Sequence, residues 1–506
     1  MNRPKSARER SLSQLANFLG VQSSTQSSTQ SDTKFTGVCS DSRKIEEGDL
    51  FIAFPGARSH GSAFLATALE RGARAILTDQ QGDEVASRIA SAIPRLVVSK
   101  PRSICGLVAS WFYGEPSKSL FVAGVTGTNG KTTTTYLLEQ IWRIAGYKSG
   151  LIGTIGIQVG EQKFAATHTT PESDELQRLL ALMKEEGARG VAMEVSSHAL
   201  VQERVKSINF QAVGFTNLTQ DHLDFHGSME NYFQAKRSLF THDYAEFGVV
   251  SIDSEYGKRL WNELAISKQS ISIHGRADWY FERRERIATG FELLIRGPEG
   301  ISIENSFHLI GEHNLENLLV AIALAFRSGI DPLVIANSLP TLTGAPGRLE
   351  NVVGPATTSI GFKVLVDYAH TPDAVERVLA AVREQGFERI IAVLGCGGDR
   401  DTAKRPLMGS ALNSGADIPI FTSDNPRSED PKKIIDEMLS GVNLKEGGEV
   451  IIDRQSAIKR AVQLAQKGDA VVVLGKGHET GQEVNGVKSP FSDVEELKRA
   501  LAERSL

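Results

Sequence analysis

The segment Gly124-Val-Thr-Gly-Thr-Asn-Gly-Lys-Thr-Thr133 sets glycines, one lysine and several hydroxyls into a short stretch. Glycines let backbone N–H groups curl onto phosphate oxygens, and a helix that follows adds the positive end of its dipole. In such a loop Lys131 neutralises the β- and γ-phosphates and Thr132 offers its hydroxyl to Mg²⁺. The strict pattern wants a glycine where Val125 stands, and Gly127 carries the turn instead. The reading is nucleotide binding by Gly127, Thr128, Asn129, Gly130, Lys131, Thr132 and Thr133, in preference to a ligand-free glycine turn.

Other residues are chemically capable but ambiguous by themselves. Glu194 ends an apolar run and is equally an ordinary strand-end carboxylate. His222 reads first as a structural histidine, and Lys236, in Ala235-Lys-Arg-Ser238, as a solvent-facing helical lysine. Asn314, Arg348 and Asp367 read as a helix cap, a surface arginine and a strand-end aspartate. Arg204 suits an anion through its fork of donors, or a surface salt bridge. Asp424-Asn-Pro-Arg427 looks like a turn, since Asn-Pro favours one.

The elements that must position these groups form three α/β segments. The first has strand-like pieces at 49–54 and 75–78 around a helical stretch at 62–71. The second opens with the buried-strand run 119–125, then the glycine turn and a helix over 131–145. Further strands are expected at 190–195, 212–218 and 247–253, with a helix over 314–327. Apolar runs alternating with helical patterns predict a mainly parallel sheet with helices on both faces. Thr343-Gly-Ala-Pro-Gly347 reads as a linker. Strands at 364–368, 390–394, 418–422, 450–452 and 470–474, with a helix over 374–383, predict a second, Rossmann-like doubly wound domain. The expected architecture is therefore a small N-terminal α/β domain (1–101), a central P-loop ATPase domain (102–345) and a C-terminal domain (346–506). Gly395-Cys-Gly-Gly-Asp-Arg400 mimics a dinucleotide fingerprint, but Arg400 occupies the final glycine position and excludes that reading. The polar repeat 22–32 is expected to be a solvated loop or insertion.

At 506 residues the chain exceeds one ordinary domain, and 41% hydrophobic with 23% charged residues is a soluble globular balance. A net charge of −5 carries no nucleic-acid footprint, so anions must be held by local charges. Cys39, Cys105 and Cys396 are far apart without metal-ligand spacing, which fits free thiols in a reducing compartment. No run approaches the roughly 20 apolar residues that cross a bilayer, and the N-terminal residues lack the apolar core of a signal peptide. The expectation is a soluble, cytoplasmic protein without membrane insertion.

From the loop onward the chain resembles the Mur ligase family. The matches run in family order: Thr126–Thr132, Met193-Glu-Val-Ser-Ser-His-Ala-Leu-Val-Gln-Glu-Arg204, Thr216-Asn-Leu-Thr-Gln-Asp-His-Leu-Asp-Phe-His226 and Gly311-Glu-His-Asn-Leu-Glu-Asn317. Gly347-Arg-Leu-Glu350, Asp367-Tyr-Ala-His-Thr-Pro372, Asp424–Arg427 and Lys476-Gly-His-Glu479 follow. The resemblance implies a three-domain enzyme that phosphorylates a substrate carboxylate with ATP and lets an amino group attack the acyl phosphate. It implies a pair of Mg²⁺ ions held by Thr132, Glu194, His222 and a CO₂-derived carbamate on Lys236, with Lys131 catalytic. It assigns Asn314, Arg348 and Asp367 to ATP.

The resemblance extends to the substrates. Asp41-Ser-Arg-Lys44 with Gly48-Asp-Leu-Phe51 resembles a uridine-nucleotide signature, with Ser42 as the matching contact; His60 departs from the family's usual Asp. Thr169, Thr170, Ser196, Gln202 and Arg204 match positions that hold the muramoyl dipeptide. Asp424, Asn425, Pro426 and Arg427 resemble the signature of members that add meso-diaminopimelate to UDP-N-acetylmuramoyl-L-alanyl-D-glutamate, with Arg400, Gly475 and Glu479 as further contacts. Arg427 can grip diaminopimelate's second carboxylate bidentately, whereas an L-lysine substrate has none. L-Lysine addition, a folylpolyglutamate synthase and a non-catalytic nucleotide-binding regulator are the alternatives. A GTPase switch would need an Asn-Lys-x-Asp motif, which does not occur. A monomer is expected.

Overall fold

Aliphatic and β-branched runs build three sheets in this computed structural model, which describes residues 3–5, 7–21, 33–56, 59–287, 290–352 and 361–504. The polar repeat 22–32 lies outside the described residues. The N-terminal sheet is parallel, in the order Gly37–Cys39, Asp49–Ile52, Ala75–Thr78, Arg95–Val97. The helical stretch expected at 62–71 is a 3₁₀ turn, Gly61–Phe64, running into the helix Leu65–Glu70. His60 caps that turn, its Nδ1 2.7 Å from Ser62 Oγ and its Nε2 3.2 Å from Asp79. The departure at His60 thus has a structural use. Helix Pro101–Phe112 buries Cys105, Val108 and Phe112 in the same core as Leu50, Ile52 and Leu77.

In the central sheet, the strand Phe121–Thr126 runs parallel between Gly190–Glu194 and Ala212–Phe215. All three strands are almost wholly buried, as fits near-continuous apolar runs covered on both faces. Helices Lys131–Ile144 and Glu312–Arg327 cover one face through Leu137, Ile141, Leu318 and Ile322. Helices Ser173–Glu185 and Met229–Arg237 cover the other through Leu176, Leu180, Tyr232 and Phe233. Antiparallel strands extend both edges, ending with Gln162–Phe164 on one side and Ser302–Phe307 on the other. The sequence carried no clear sign of the strand Trp279–Ile287, because most of its residues are exposed or half-buried and several are charged.

The C-terminal sheet has five parallel strands in the order Lys363–Asp367, Ala470–Leu474, Ile390–Leu394, Ile418–Phe421, Glu449–Val450. Helices Pro372–Arg383 and Arg405–Gly415 lie on one face, Arg454–Leu464 and Asp493–Arg504 on the other. That is the doubly wound pattern, which gathers loops at the carboxyl ends of the strands. A linker joins this domain to the central one, and Gln140 clamps its start. The Gln140 amide donates to Thr343 O at 2.9 Å and accepts from Thr343 N and Oγ1, both at 3.0 Å.

Candidate active site

The glycine loop turns tightly because two of its residues could be nothing else. A Cβ on Gly127 (φ 153°) would lie 2.0 Å from Thr216 Oγ1, and one on Gly130 (φ 88°) 2.2 Å from Asn317 Oδ1. Lys131 folds back over the loop, donating to Gly127 O and Thr128 O at 2.8 Å each. Burial lowers its pKa from the ordinary lysine value. Asn129 donates across the domain junction to Asp373 at 3.0 Å. Thr128 hydrogen-bonds Thr219 O at 3.1 Å, and Thr133 is buried on the helix behind the loop.

Thr132 and Glu194 meet at the ends of two neighbouring elements. The Thr132 hydroxyl donates to Glu194 Oε2 at 3.0 Å, and Thr154 donates to both carboxylate oxygens. Glu194 is only 1% exposed, so these donors take the place of solvent around its carboxylate. Lys236, also 1% exposed, reaches up from helix Met229–Arg237 to donate to Gly127 O at 2.8 Å. Burial, reinforced by the nearby Lys131 charge, pushes its pKa far below the ordinary value. Taken alone, the residue type had pointed to a solvated lysine; tertiary packing puts it under the loop.

His222 takes a left-handed backbone (φ 54°), and its Nε2 lies 3.3 Å from Asp221 Oδ2. Burial lowers the His222 pKa well below the histidine range. Asp221 itself was not singled out in the sequence, although it adjoins His222. Burial would raise its pKa, but His222, His370 and Lys404 outweigh burial and hold it low. His370 and Lys404 come from the C-terminal domain, at 4.0 and 3.7 Å, so Asp221 ties the two domains together.

Mg²⁺ prefers hard oxygen donors, and the Thr132–Glu194 pair fits it. A free Lys236 ammonium does not fit beside a cation, whereas a carbamate on the same stem would. Among the described residues no group of three or more His, Cys, Asp or Glu gathers as a metal site.

A cleft of about 590 Å³ opens beside the loop, walled by Asn129, Asn314, Arg348, Asp367, Tyr368 and His370 among others. The Arg348 guanidinium stacks over Tyr368 at 4.6 Å and donates to Thr132 Oγ1 at 3.3 Å. It therefore bridges the linker, the C-terminal domain and the phosphate loop. Asp367 caps its own strand end, accepting from Leu349 N and Ala369 N at 2.7 Å each. Asn314 donates to Ile310 O at 2.8 Å, which fixes the start of its helix.

The expected dipeptide residues form a connected set. Thr170 Oγ1 donates to Glu194 O at 2.9 Å and accepts from Ser196 N at 3.1 Å; the Thr169 and Thr154 hydroxyls lie 3.1 Å apart. Arg204 donates to Thr170 O at 2.9 Å and pairs with Glu172 at 3.0 Å. Gln202 is half-buried, and its carbonyl accepts from Arg102 at 3.4 Å. A second cleft of about 750 Å³ lies between the N-terminal and central domains, with Arg3, Ser40, Arg43, Lys44, His168 and Arg178 on its wall. Ser42 is buried and is not among the lining residues; Ser40 ties the two domains, donating twice to Asp174 at 2.8 Å.

At the carboxyl ends of the C-terminal strands, Asn425 donates to Glu479 at 2.9 Å, and Lys476 donates to Asp424, Asn425 and Glu479. Arg427 (φ 53°) donates to Gly398 O at 2.6 Å, and its Nε lies 3.8 Å from Glu483. Gly475 (φ 108°) lets its strand end pass close to Asp424. Pro426 donates no N–H, and its carbonyl approaches Gly398 so closely that only glycine fits there. Arg400 is exposed on the same loop, near Arg427 around Gly397. Beneath them Arg454, paired with Asp493 and fully buried, donates to Ser423 O and Leu474 O, binding the two site-bearing strand ends.

Family models match in three stretches: "Mur ligase family, catalytic domain" over 34–113, "Mur ligase middle domain" over 125–325 and "Mur ligase, glutamate ligase domain" over 347–477. With the fold and the phosphate loop, these define an ATP-dependent amide-bond-forming ligase: the chain belongs to the Mur ligase family. It is 44% identical over 497 residues to a UDP-N-acetylmuramoyl-L-alanyl-D-glutamate–2,6-diaminopimelate ligase of Streptomyces coelicolor, covering 97% of this chain and 96% of that one. The corresponding ligase of Aquifex aeolicus is 43% identical over 471 residues, covering 92% and 93%. A solved structure of a ligase of that name matches with a TM-score of 0.67 at 31% identity, covering 99% of this chain and 100% of the other.

Proposed function

We propose that this protein adds meso-diaminopimelate to the D-glutamate carboxylate of UDP-N-acetylmuramoyl-L-alanyl-D-glutamate, with ATP, in peptidoglycan precursor synthesis. The observation that carries the reading is the pairing of two sites on neighbouring domains. A buried phosphate loop joins Glu194 through Thr132, and an Arg427–Asn425–Glu479 cluster stands at the strand ends of the next domain. Near-full-length identity above 40% to ligases of that name supports the same substrates.

In the first step a carboxylate oxygen of the substrate attacks the γ-phosphorus, and the bond to ADP breaks. The amine of the incoming amino acid then attacks the acyl-phosphate carbon, phosphate leaves, and the ammonium's proton is lost to form the amide. Lys131 and the loop amides hold phosphate oxygens, while Arg348 orders the loop through Thr132. Thr132 and Glu194, with His222 and a Lys236 carbamate, would hold Mg²⁺, which would supply charge neutralisation for two anions that must come within bonding distance. Arg204 and Thr170 hold the dipeptide beside Glu194, and Arg43, Lys44 and Arg178 are the cations that receive the uridine diphosphate in a cleft they share with carboxylates such as Asp41, Glu172 and Glu175.

Three domains support this cycle. We place the first junction after helix Pro101–Phe112 instead of at 101/102, because that helix packs into the N-terminal core. The second junction stays at 345/346, within the linker that Gln140 clamps at Thr343. The enzyme works as a cytoplasmic monomer; no described helix is long and apolar enough to cross a membrane.

The test is phosphate release from ATP with the dipeptide substrate, comparing meso-diaminopimelate with L-lysine. Tripeptide formed only with diaminopimelate is the expected result. Lysine preference would refute the specificity, and no turnover with either would refute the ligase reading.

A further inference from the structure

Lys476 is fully buried, an uncommon place for an ammonium, and nothing in the acyl-phosphate chemistry requires it. Its three N–H donors meet three oxygens: Asp424 Oδ1 at 3.1 Å, Asn425 Oδ1 at 3.0 Å and Glu479 Oε2 at 3.3 Å. Resting on the diaminopimelate reading above, we infer that Lys476 is the positioning residue that shapes the subsite for the substrate's distal amino-carboxylate end.

The hydrogen bonds set the direction of the Asn425 amide. Oδ1 accepts from both Lys476 Nζ and Glu483 N, the latter at 3.0 Å. A flipped amide would turn its N–H groups against two other donors. The amide nitrogen is therefore committed to Glu479 Oε2, at 2.9 Å. Glu479 Oε2 then takes two donors, from Asn425 and Lys476, and the other oxygen is left to receive a substrate ammonium.

Charge counting agrees. Asp424, Glu479 and Lys476 sum to one net negative charge, enough to attract an ammonium without setting two bare carboxylates side by side. Arg427, anchored on Gly398 O, supplies the opposite sign for the distal carboxylate. Without Lys476 the Asn425 amide loses one of the two donors that fix its direction and Glu479 loses a donor, although neither residue is removed.

The experiment is steady-state kinetics on Lys476→Met and Lys476→Arg, with Asn425→Ala and the Lys476→Met/Asn425→Ala double variant. Thermal unfolding midpoints are measured alongside to separate misfolding from misplacement. For Lys476→Met the KM for meso-diaminopimelate is expected to rise at least tenfold, with KM for ATP within twofold of wild type. Lys476→Arg, which keeps the charge and the donors, recovers part of the loss. If Lys476 acts through Asn425, the double variant is no worse than the poorer single one. An unmoved KM for diaminopimelate in a folded Lys476→Met protein, or additive losses in the double variant, overturns the inference alone. A wild-type enzyme that turns over L-lysine and not diaminopimelate overturns the specificity reading, and this inference with it.

Discussion

The Thr132 hydroxyl donates to Glu194 Oε2 across 3.0 Å, joining the first turn of the phosphate-loop helix to the end of the adjacent strand. These residues lie far apart in sequence, and the parallel pairing of Phe121–Thr126 with Gly190–Glu194 brings them together. The pair sets an oxygen-rich corner beside the phosphates. Glu194→Gln keeps the shape and removes the charge. It is expected to lower kcat roughly 100-fold, as loss of a few kcal/mol of charge stabilisation would. Phosphate release during a Mg²⁺ titration, with ATP binding followed in parallel, checks this: binding persists while turnover does not.

Lys236 yields a pH prediction. Burial first, then the Lys131 charge, lowers its folded pKa far below the unfolded value of about 10.4. A neutral amine can add to CO₂, forming the N–C bond and releasing a proton. Activity is therefore expected to fall in CO₂-depleted buffer and return with bicarbonate. In CO₂-free protein, between the lowered folded pKa and the unfolded one, the unfolded chain binds the extra proton. Stability relative to Lys236→Met thus rises with pH through that window. Thermal unfolding of both proteins from pH 7 to 9 reads the slope; a constant difference refutes it.

Arg427 is held by Gly398 O and stands beside Glu483. Arg427→Ala is expected to raise the KM for meso-diaminopimelate by roughly 10- to 100-fold, the scale of a lost bidentate carboxylate contact. The KM for ATP should stay near that of wild type, because Arg427 stands at the amino-acid site and not at the phosphate loop. An unmoved KM for diaminopimelate would show that Arg427 only supports the loop.

Arg454 and Asp493 are each 0% exposed and form an ion pair under the amino-acid site. Asp493→Ala leaves a buried guanidinium without its partner, a change that costs about 3–5 kcal/mol. The unfolding midpoint in calorimetry should drop clearly. In protein that remains folded, the KM for diaminopimelate should rise, since Arg454 also binds the carbonyls of Ser423 and Leu474.

Sequence alone determined the elements with strong local signals. The apolar runs at 390–394 and 470–474 are strands with those bounds, because buried parallel strands must be apolar throughout. The glycine loop was legible from its local spacing of glycines, lysine and threonines after an apolar run; the tertiary structure adds that a side chain at Gly127 or Gly130 would strike Thr216 or Asn317. The helix expected over 374–383 forms with that end and starts two residues earlier, at Pro372, with Thr371 as its cap. The motifs themselves could be read in order along the chain.

Only the tertiary structure decided what those residues face. Lys236 has the local sequence of a solvated helical lysine, yet packing against the phosphate loop buries it completely and changes its acidity. Ser42 matched a motif and is buried, while Ser40, two residues earlier, bonds Asp174 of the central domain; which of the two is buried depends on that packing and not on the local sequence. Asp221 and Lys476 gained their importance from partners contributed by other strands and, for Asp221, another domain. A local sequence window holds the propensities that make an element. Burial, partner charges and domain contacts depend on residues hundreds of positions away, and only the folded chain supplies them.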